Sequence, residues 1–174
     1  MDNCMPRLQD LELYNTKLSE VSFATGVCPI LQYLSVRFCN DLVEVGTLPN
    51  ALIELELTNC SNLRKIEGLR GLAKLQMLDI SRCENVEELP SMETLESLKE
   101  LQAYACVKLK SIQGLSRLTK LRLLNVNGCS ELQELPGIEH CMLLEYLDAR
   151  GCPKQWAEER VLEQLHQQLK VLEI

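Results

Sequence analysis

The chain has 174 residues, of which 46% are hydrophobic and 25% charged, a composition typical of one folded domain and not of a disordered segment. Its formal net charge is −7, and without a basic patch it lacks the electrostatic footprint of a nucleic-acid-binding protein. No apolar run approaches the roughly 20 residues of a membrane-spanning helix, and no secretory signal follows residues 1–7. These features predict a protein of the cytoplasm or nucleus that binds neither nucleic acid nor membrane.

Leucine dominates the apolar content, with 35 copies against two Phe, four Tyr and one Trp. The pattern L-x-x-L-x-L-x-x-C, with a few replacements, recurs at intervals of 23, 21, 23, 23, 23, 23 and 25 residues. The units begin at Leu8, Leu31, Leu52, Leu75, Leu98, Leu121 and Leu144, with a partial eighth unit at Leu169. Because one unit cannot bury its leucines alone, the repeat predicts a single domain over residues 1–174 with a continuous core of stacked units.

The alternation within each unit predicts its local structure. With the first leucine of a unit counted as position 1, the apolar residues at positions 1, 4, 6 and 9 are expected in the core. The alternating L-x-L then predicts a short strand in each unit, and the side chains at positions 3, 5, 7 and 8 face away from the core. The apolar residues at positions 12 and 15, with intervening Pro and Gly, predict turns and short helical segments that return the chain.

The C-terminal residues depart from the repeat. Pro153 begins a predicted helix over residues 153–168, whose apolar side carries Trp156, Val161, Leu162 and Leu165 and covers the last full unit. A final strand begins the eighth unit. Since the edge strands of an uncapped sheet pair readily with other chains, we expect end-to-end self-association through the terminal strands.

Cysteine occurs nine times, mostly at one position of the repeat. Position 9 holds Cys39, Cys60, Cys83, Cys106, Cys129 and Cys152. Such a column of thiols is a candidate metal or redox array, but there is no C-x-x-C pair and neither histidine falls on a strand. A free cysteine that packs as a small core residue accounts for the pattern better. We therefore expect reduced thiols, no metal and no cofactor.

Catalytic chemistry finds little support in the sequence. Nucleophilic catalysis needs a nucleophile and a base within hydrogen-bond reach, and the two histidines, His140 and His166, do not repeat and have no evident Ser or Cys partner. The sequence therefore predicts a protein that is not an enzyme. A weak hydrolase that uses His140, or a subunit bound to an enzyme, is the alternative.

The repeat resembles the leucine-rich repeats over nearly the full chain. Segments such as Leu98–Ile112, together with the Leu-Pro pairs at residues 89–90 and 135–136, are similar to the repeat region of plant intracellular nucleotide-binding immune receptors that carry a TIR domain. The resemblance implies an α/β fold: a right-handed solenoid, curved like a horseshoe, with a parallel sheet on the concave face and loops or short helical segments on the convex face. It also implies a role in sensing pathogen effectors or in holding a receptor inactive. The sequence has no G-x-x-x-x-G-K-[ST] phosphate loop and no TIR or nucleotide-binding domain, so we expect a fragment or a stand-alone relative.

The outward positions of the strands are the candidate functional site. All four tyrosines fall there, with one of the two phenylalanines, and aromatic and Arg side chains dominate the energetics of protein interfaces. Acidic residues line the same positions and would steer a basic or mixed-charge partner. The predicted partner-binding residues are Tyr14, Tyr33, Arg37, Phe38, Glu54, Glu56, Asp79, Arg82, Glu100, Tyr104, Tyr146, Asp148 and Arg150. The alternative is an exposed sheet whose tyrosines suit a strand and whose acids keep the protein in solution.

The sequence thus predicts a non-catalytic protein-recognition module. The resemblance points to the effector-sensing or autoinhibitory repeats of a plant immune receptor, with a pathogen effector or another domain of the parent receptor as the partner. The alternative is an intracellular scaffold or regulatory adaptor whose partner is unrelated to immunity.

Overall fold

The computed structural model of the chain describes residues 5–154, 157 and 159–174. Its main element is an eight-stranded parallel sheet in the order β1-β3-β5-β7-β8-β9-β10-β11. The strands are β1 (Asp10–Tyr14), β3 (Tyr33–Arg37), β5 (Glu54–Thr58), β7 (Met77–Asp79), β8 (Glu100–Gln102), β9 (Leu123–Asn125), β10 (Tyr146–Asp148) and β11 (Val171–Glu173). Each unit contributes one strand, and this sheet of stacked units confirms the predicted solenoid.

The pairing register follows the repeat. In every strand pair, residues at the same position of successive units lie opposite each other, so that Leu55 pairs with Leu78 and Leu78 with Leu101. Position 4 is therefore a continuous leucine column, whose members from Leu34 to Leu147 are at most 2% exposed. Full burial of one such side chain stabilises the fold by roughly 1.5–3 kcal/mol. The columns at positions 1, 12 and 15 are buried in the same way between Leu31 and Leu135.

The segments that connect one strand of the large sheet to the next, here called the return segments, also pair with one another. A second, three-stranded parallel sheet contains β2 (Glu20–Val21), β4 (Glu44–Val45) and β6 (Lys65–Ile66). In the later units this sheet is reduced to single bridges, and short 3-10 helices span Glu67–Leu69, Met92–Thr94, Leu115–Arg117 and Ile138–His140. The repeat predicted the helical turns but not this sheet, which forms because the buried residue at position 15 fixes the backbone beside it in register.

Close stacking of two return segments explains why residue 68 is a glycine. A Cβ atom at Gly68 would overlap the carbonyl oxygen of Gly46 in the neighbouring unit. Any larger residue in place of Gly68 would therefore push two return segments apart.

The helix at the C-terminal end is α1 (Glu159–Gln168). It buries Leu165 completely, places Leu162 at partial exposure and packs beside the short helix Ile138–His140. Of the helix predicted over residues 153–168, Trp156 lies outside the described residues. No helix in the described part of the chain is both long and apolar enough to span a bilayer.

The position-9 thiols lie in the core and act as hydrogen-bond donors. Each donates to the position-6 carbonyl of the preceding unit, as Cys83 does to Leu57 at 2.7 Å and Cys106 to Ile80 at 3.0 Å. The same carbonyl of Ile80 also accepts the backbone N–H of Cys83, which closes the turn within its own unit. A small side chain with a weak donor thus satisfies a buried carbonyl at the point where the chain leaves the sheet.

Position 8 has a backbone conformation that the sequence analysis did not predict. Its residues have positive φ in every full unit: Asn15 (49°), Phe38 (56°), Asn59 (54°), Arg82 (61°), Ala105 (56°), Gly128 (78°) and Gly151 (74°). The left-handed conformation suits Asn and Gly but costs roughly 1–2 kcal/mol for other residues. It is maintained because the N–H of position 8 donates to the position-7 carbonyl of the next unit, as from Phe38 to Thr58 at 3.0 Å. The two Asn and two Gly residues in this column were the available signal.

Burial of the thiols predicts a pH-dependent stability. Burial raises the pKa of Cys106 and of Cys141 from 9.0 to about 12. Between these values the unfolded chain releases thiol protons that the folded chain retains, so the free energy of unfolding decreases as pH rises. Urea denaturation from about pH 8 to about pH 11 should show this decrease, and Cys106→Ala should make it shallower. An unchanged slope in the variant would contradict the assignment.

Candidate functional site

The side chains at positions 3, 5 and 7 of the large sheet, with those at position 8 along one edge, form the face opposite the leucine core, here called the concave face. The structure leaves Tyr14, Tyr33, Phe38, Arg82, Glu100, Tyr104 and Arg150 exposed. Five further predicted residues are partly buried: Arg37, Glu54, Glu56, Asp79 and Tyr146. Only Asp148 of the predicted set is buried. The sheet therefore places almost the whole predicted set on one accessible surface.

Two aromatic contacts lie along the edge formed by positions 7 and 8. The rings of Tyr14 and Phe38 meet with centroids 5.4 Å apart at an angle of 58°, although the two residues are 64% and 43% exposed. Further along the same edge, the guanidinium carbon of Arg82 lies 5.4 Å from the ring centroid of Tyr104. Both arrangements are favourable geometries, and both leave large apolar surface in contact with water.

Charges at the N-terminal end of the concave face gather around one guanidinium. Arg37 lies 3.5 Å from a carboxylate oxygen of Glu12 and 3.8 Å from one of Glu56. The Ser35 hydroxyl donates to Glu56 at 2.7 Å. Because this side chain of Arg37 is about one-third exposed, the ion pairs are partly screened by water and contribute little to stability.

At the C-terminal end of the same face, one guanidinium forms ion pairs with two carboxylates. This contact corrects the prediction that Asp148 is accessible to a partner. This residue is 2% exposed, and its carboxylate accepts hydrogen bonds from Arg150 at 2.7 and 3.0 Å and from Asn127 at 3.0 Å. Arg150 also lies 2.7 Å from Glu173 on the neighbouring strand. The Arg150 guanidinium holds the pKa of Asp148 below its usual value. Asp148 was wrongly predicted as a partner contact, because Arg150 folds back over it.

The middle of the face carries carboxylates with no cation against them. Within the described residues, no ion pair involves Glu54, Asp79 or Glu100. The Asp79 carboxylate accepts the backbone N–H of Ser81 at 2.8 Å. Burial nevertheless raises the pKa of Asp79, and the nearby charge of Glu56 adds to the effect.

A shallow cavity of about 250 Å³ lies among these residues on the first strands of the concave face. Its lining consists of Asp10, Leu11, Glu12, Tyr33, Leu34, Ser35, Glu54, Glu56 and Met77. A larger cavity of about 700 Å³ lies among the return segments and is lined by both charge signs, including Arg64, Lys65, Arg70, Glu87 and Glu88. Of these two cavities, the concave one brings together residues of the predicted set.

The remaining chemical candidates are placed away from this face. His140 is the exposed last residue of the short helix Ile138–His140, and its ring nitrogen lies 3.8 Å from Glu139. In the part of the chain that the structure describes, no three His, Cys, Asp or Glu side chains are grouped so that they could hold a metal ion. The chemistry available to the concave face is therefore that of hydrogen bonds, ion pairs and aromatic contacts.

Comparison with known proteins relates part of this sequence to a family. The model of the family described as Zer-1-like, leucine-rich repeats matches residues 66–136, where the strands, thiols and 3-10 turns recur with a period of 23 residues. The match covers less than half of the chain, and the sheet of stacked units has the fold of a leucine-rich-repeat solenoid. No curated protein matches its sequence significantly.

Solved structures with a similar architecture include two leucine-rich-repeat proteins. The domain of the type III effector XopL has 22% sequence identity and a TM-score of 0.48, with 99% of this chain and 78% of that chain covered. A leucine-rich-repeat protein of Leptospira interrogans has 21% identity and a TM-score of 0.43, with 95% of this chain and 54% of that chain covered. Similarity at this level does not extend to partners or sites.

The Asp148 cluster predicts a local contribution to stability. Asp148→Ala removes the acceptor for Arg150 and Asn127 and should lower the free energy of unfolding by roughly 1.5–3 kcal/mol, measured by urea denaturation at neutral pH. Asp10→Ala, on the exposed part of β1, is the matched control and should change stability by less than about 0.5 kcal/mol.

The pH dependence of that difference follows from the lowered pKa. The stabilisation from the Asp148 carboxylate is present above its unfolded value of 3.8 and is lost as pH falls through the lower folded value. The difference in the free energy of unfolding between the native repeat domain and Asp148→Ala should therefore become smaller in acid. An equal loss in Asp148→Ala and Asp10→Ala would contradict the assigned role.

Proposed function

We propose that this leucine-rich-repeat domain is a non-catalytic recognition module whose concave face binds a protein partner. At the finer level, we propose that it is the effector-sensing or autoinhibitory repeat region of a plant innate-immune receptor, acting in the cytoplasm or nucleus. The partner is then a pathogen effector or another domain of the parent receptor.

The observation that carries the proposal is the exposure of aromatic side chains on the concave face. Tyr14, Tyr33, Phe38 and Tyr104 are between 37% and 64% exposed, although a continuous leucine core lies directly beneath the same strands. None of these four rings is buried in that core. Aromatic side chains are the commonest anchors of protein interfaces, since each brings a large contact area at a small entropic cost.

The electrostatics of the face support a protein partner over a nucleic acid. Carboxylates outnumber guanidinium groups at its outward positions, and Glu54, Asp79 and Glu100 have no ion-pair partner within the described structure. A phosphate backbone would be repelled by such a surface, whereas a basic or mixed-charge protein would be attracted.

The immune assignment is supported by the repeat sequence alone. Two features are similar to plant intracellular receptors: the spacing within Leu98–Ile112, and the Leu-Pro pairs at residues 89–90 and 135–136. A scaffold or adaptor outside immunity would present the same sheet and differ only in the protein that it captures.

Affinity capture from plant leaf extract tests the proposal. The triple variant Tyr14→Ser, Tyr33→Ser and Tyr104→Ser removes three exposed rings from the concave face and should lose at least about 90% of a specifically captured protein, because truncation of central anchors costs several kcal/mol. Mass spectrometry identifies the partner, and an effector or receptor domain supports the immune role.

The chain offers a matched control away from this face. Met142 and Leu143 are 69% and 50% exposed on the turn before β10, so Met142→Ser with Leu143→Ser removes exposed apolar surface without altering the concave positions. This variant should capture as the native chain does, and circular dichroism should show both variants folded. Equal capture by all three proteins would overturn concave-face recognition.

A further inference from the structure

Charge is distributed unevenly over the concave face. On β1, β3, β5, β7 and β8, positions 3, 5 and 7 hold six carboxylates and one guanidinium, Arg37. The acids are Asp10, Glu12, Glu54, Glu56, Asp79 and Glu100. On β9 to β11 the corresponding positions hold two carboxylates, both within 2.7 Å of Arg150. The N-terminal half is thus strongly negative, while both carboxylates of the C-terminal half are ion-paired with one guanidinium.

The concave cavity lies within the negative half. Four carboxylates line it, and Arg37 contacts only Glu12 and Glu56, which leaves Asp10 and Glu54 without an ion pair in the described residues. The wall between these two is formed by Tyr33, whose position pairs with Asp10 on one side and Glu54 on the other. A cationic side chain placed here would contact two free carboxylates and an aromatic ring, which are favourable partners for an arginine or lysine.

The size of the cavity agrees with one long side chain. Its volume of about 250 Å³ equals that of about eight water molecules, and an arginine side chain has seven non-hydrogen atoms. The site is open to solvent, so the chain that carries the cation can run extended along the direction of the strands.

The exposed Tyr14–Phe38 pair lies at the ends of two of the strands that line the cavity, because Tyr14 is the last residue of β1 and Phe38 directly follows β3. Tyr14 follows Asp10 by four residues on β1, a distance of roughly 13 Å at about 3.3 Å per residue. An extended ligand spans the same distance with four residues. The surface therefore offers a cation site and an apolar site at a spacing that one short peptide segment can match.

We propose that the N-terminal half of the concave face binds an extended peptide segment in which a basic residue is followed or preceded, four positions away, by a large apolar residue. The basic residue enters the cavity between Asp10 and Glu54, and the apolar residue packs on the Tyr14–Phe38 pair. This inference rests on the proposed recognition function and specifies the chemistry of its partner.

The test uses a fluorescein-labelled peptide with the core sequence Arg-Ser-Ser-Ser-Leu, titrated with the full repeat domain at low salt. NMR amide shifts on β1, β3 and β5 report where the peptide binds. Changing the peptide Arg to Gln, or its Leu to Ser, should each weaken binding by about tenfold. In the protein, Asp10→Asn with Glu54→Gln should weaken it by a similar factor.

A matched charge control separates a specific site from general attraction to an acidic protein. Glu88→Gln with Glu134→Gln removes two exposed carboxylates from the return segments and should change affinity by less than about twofold. Equal losses in the two protein variants, or binding indifferent to the peptide Arg, would overturn the inference. If the tyrosine-dependent partner is captured but this peptide does not bind, the recognition function stands and the proposed partner chemistry is wrong.

Discussion

The whole structure depends on one constraint, which is that a unit can bury its leucines only against the units on either side. Position 4 illustrates it: Leu78 is completely buried because Leu55 and Leu101 lie directly opposite it on neighbouring strands. A slip of one residue in this register would turn a leucine column to the solvent side. The leucine columns therefore fix the strand register, and the register in turn aligns the thiols of position 9 with the carbonyls of position 6 and the amides of position 8 with the carbonyls of position 7.

The parts of the fold that were predictable from sequence are those that a side-chain pattern alone determines. The alternation of leucines predicted the strands and the face on which Tyr33 and Tyr104 lie, and the resemblance to leucine-rich repeats implied that the strands are parallel. The second sheet was not predictable, because two-residue strands such as Glu44–Val45 arise from backbone alignment and carry no period of their own. The left-handed conformation at position 8 was not predictable for a related reason. Phe38, Arg82 and Ala105 adopt it because their amides are hydrogen-bonded to the next unit, although these residue types disfavour positive φ.

Individual site residues were harder to predict than the face that carries them. An outward position makes a side chain accessible only when its neighbours leave it free, and Asp148 has Arg150 two residues away and Asn127 on the adjoining strand. The carboxylate of Asp79 has Ser81 and Thr58 in the corresponding places and gains no cation. The difference is set by two residues in each case, so it depends on which side chains meet across the strands and not on the repeat.

That contrast between the two ends of one sheet is the strongest physical reason to look for a partner at the N-terminal half. Stability alone would favour the C-terminal arrangement, in which Arg150 forms ion pairs with both Asp148 and Glu173. At positions 3, 5 and 7 of the N-terminal half there are six carboxylates and one guanidinium, Arg37. Burial raises the pKa of Asp79 and the charge of Glu56 adds to the effect, which means that the charged form of Asp79 is disfavoured in the free protein. A cation brought by a partner would relieve this repulsion at the moment of binding. The free surface thus carries an electrostatic cost that binding offsets, whereas the leucine columns beneath it hold the carboxylates in place whether or not a partner is present.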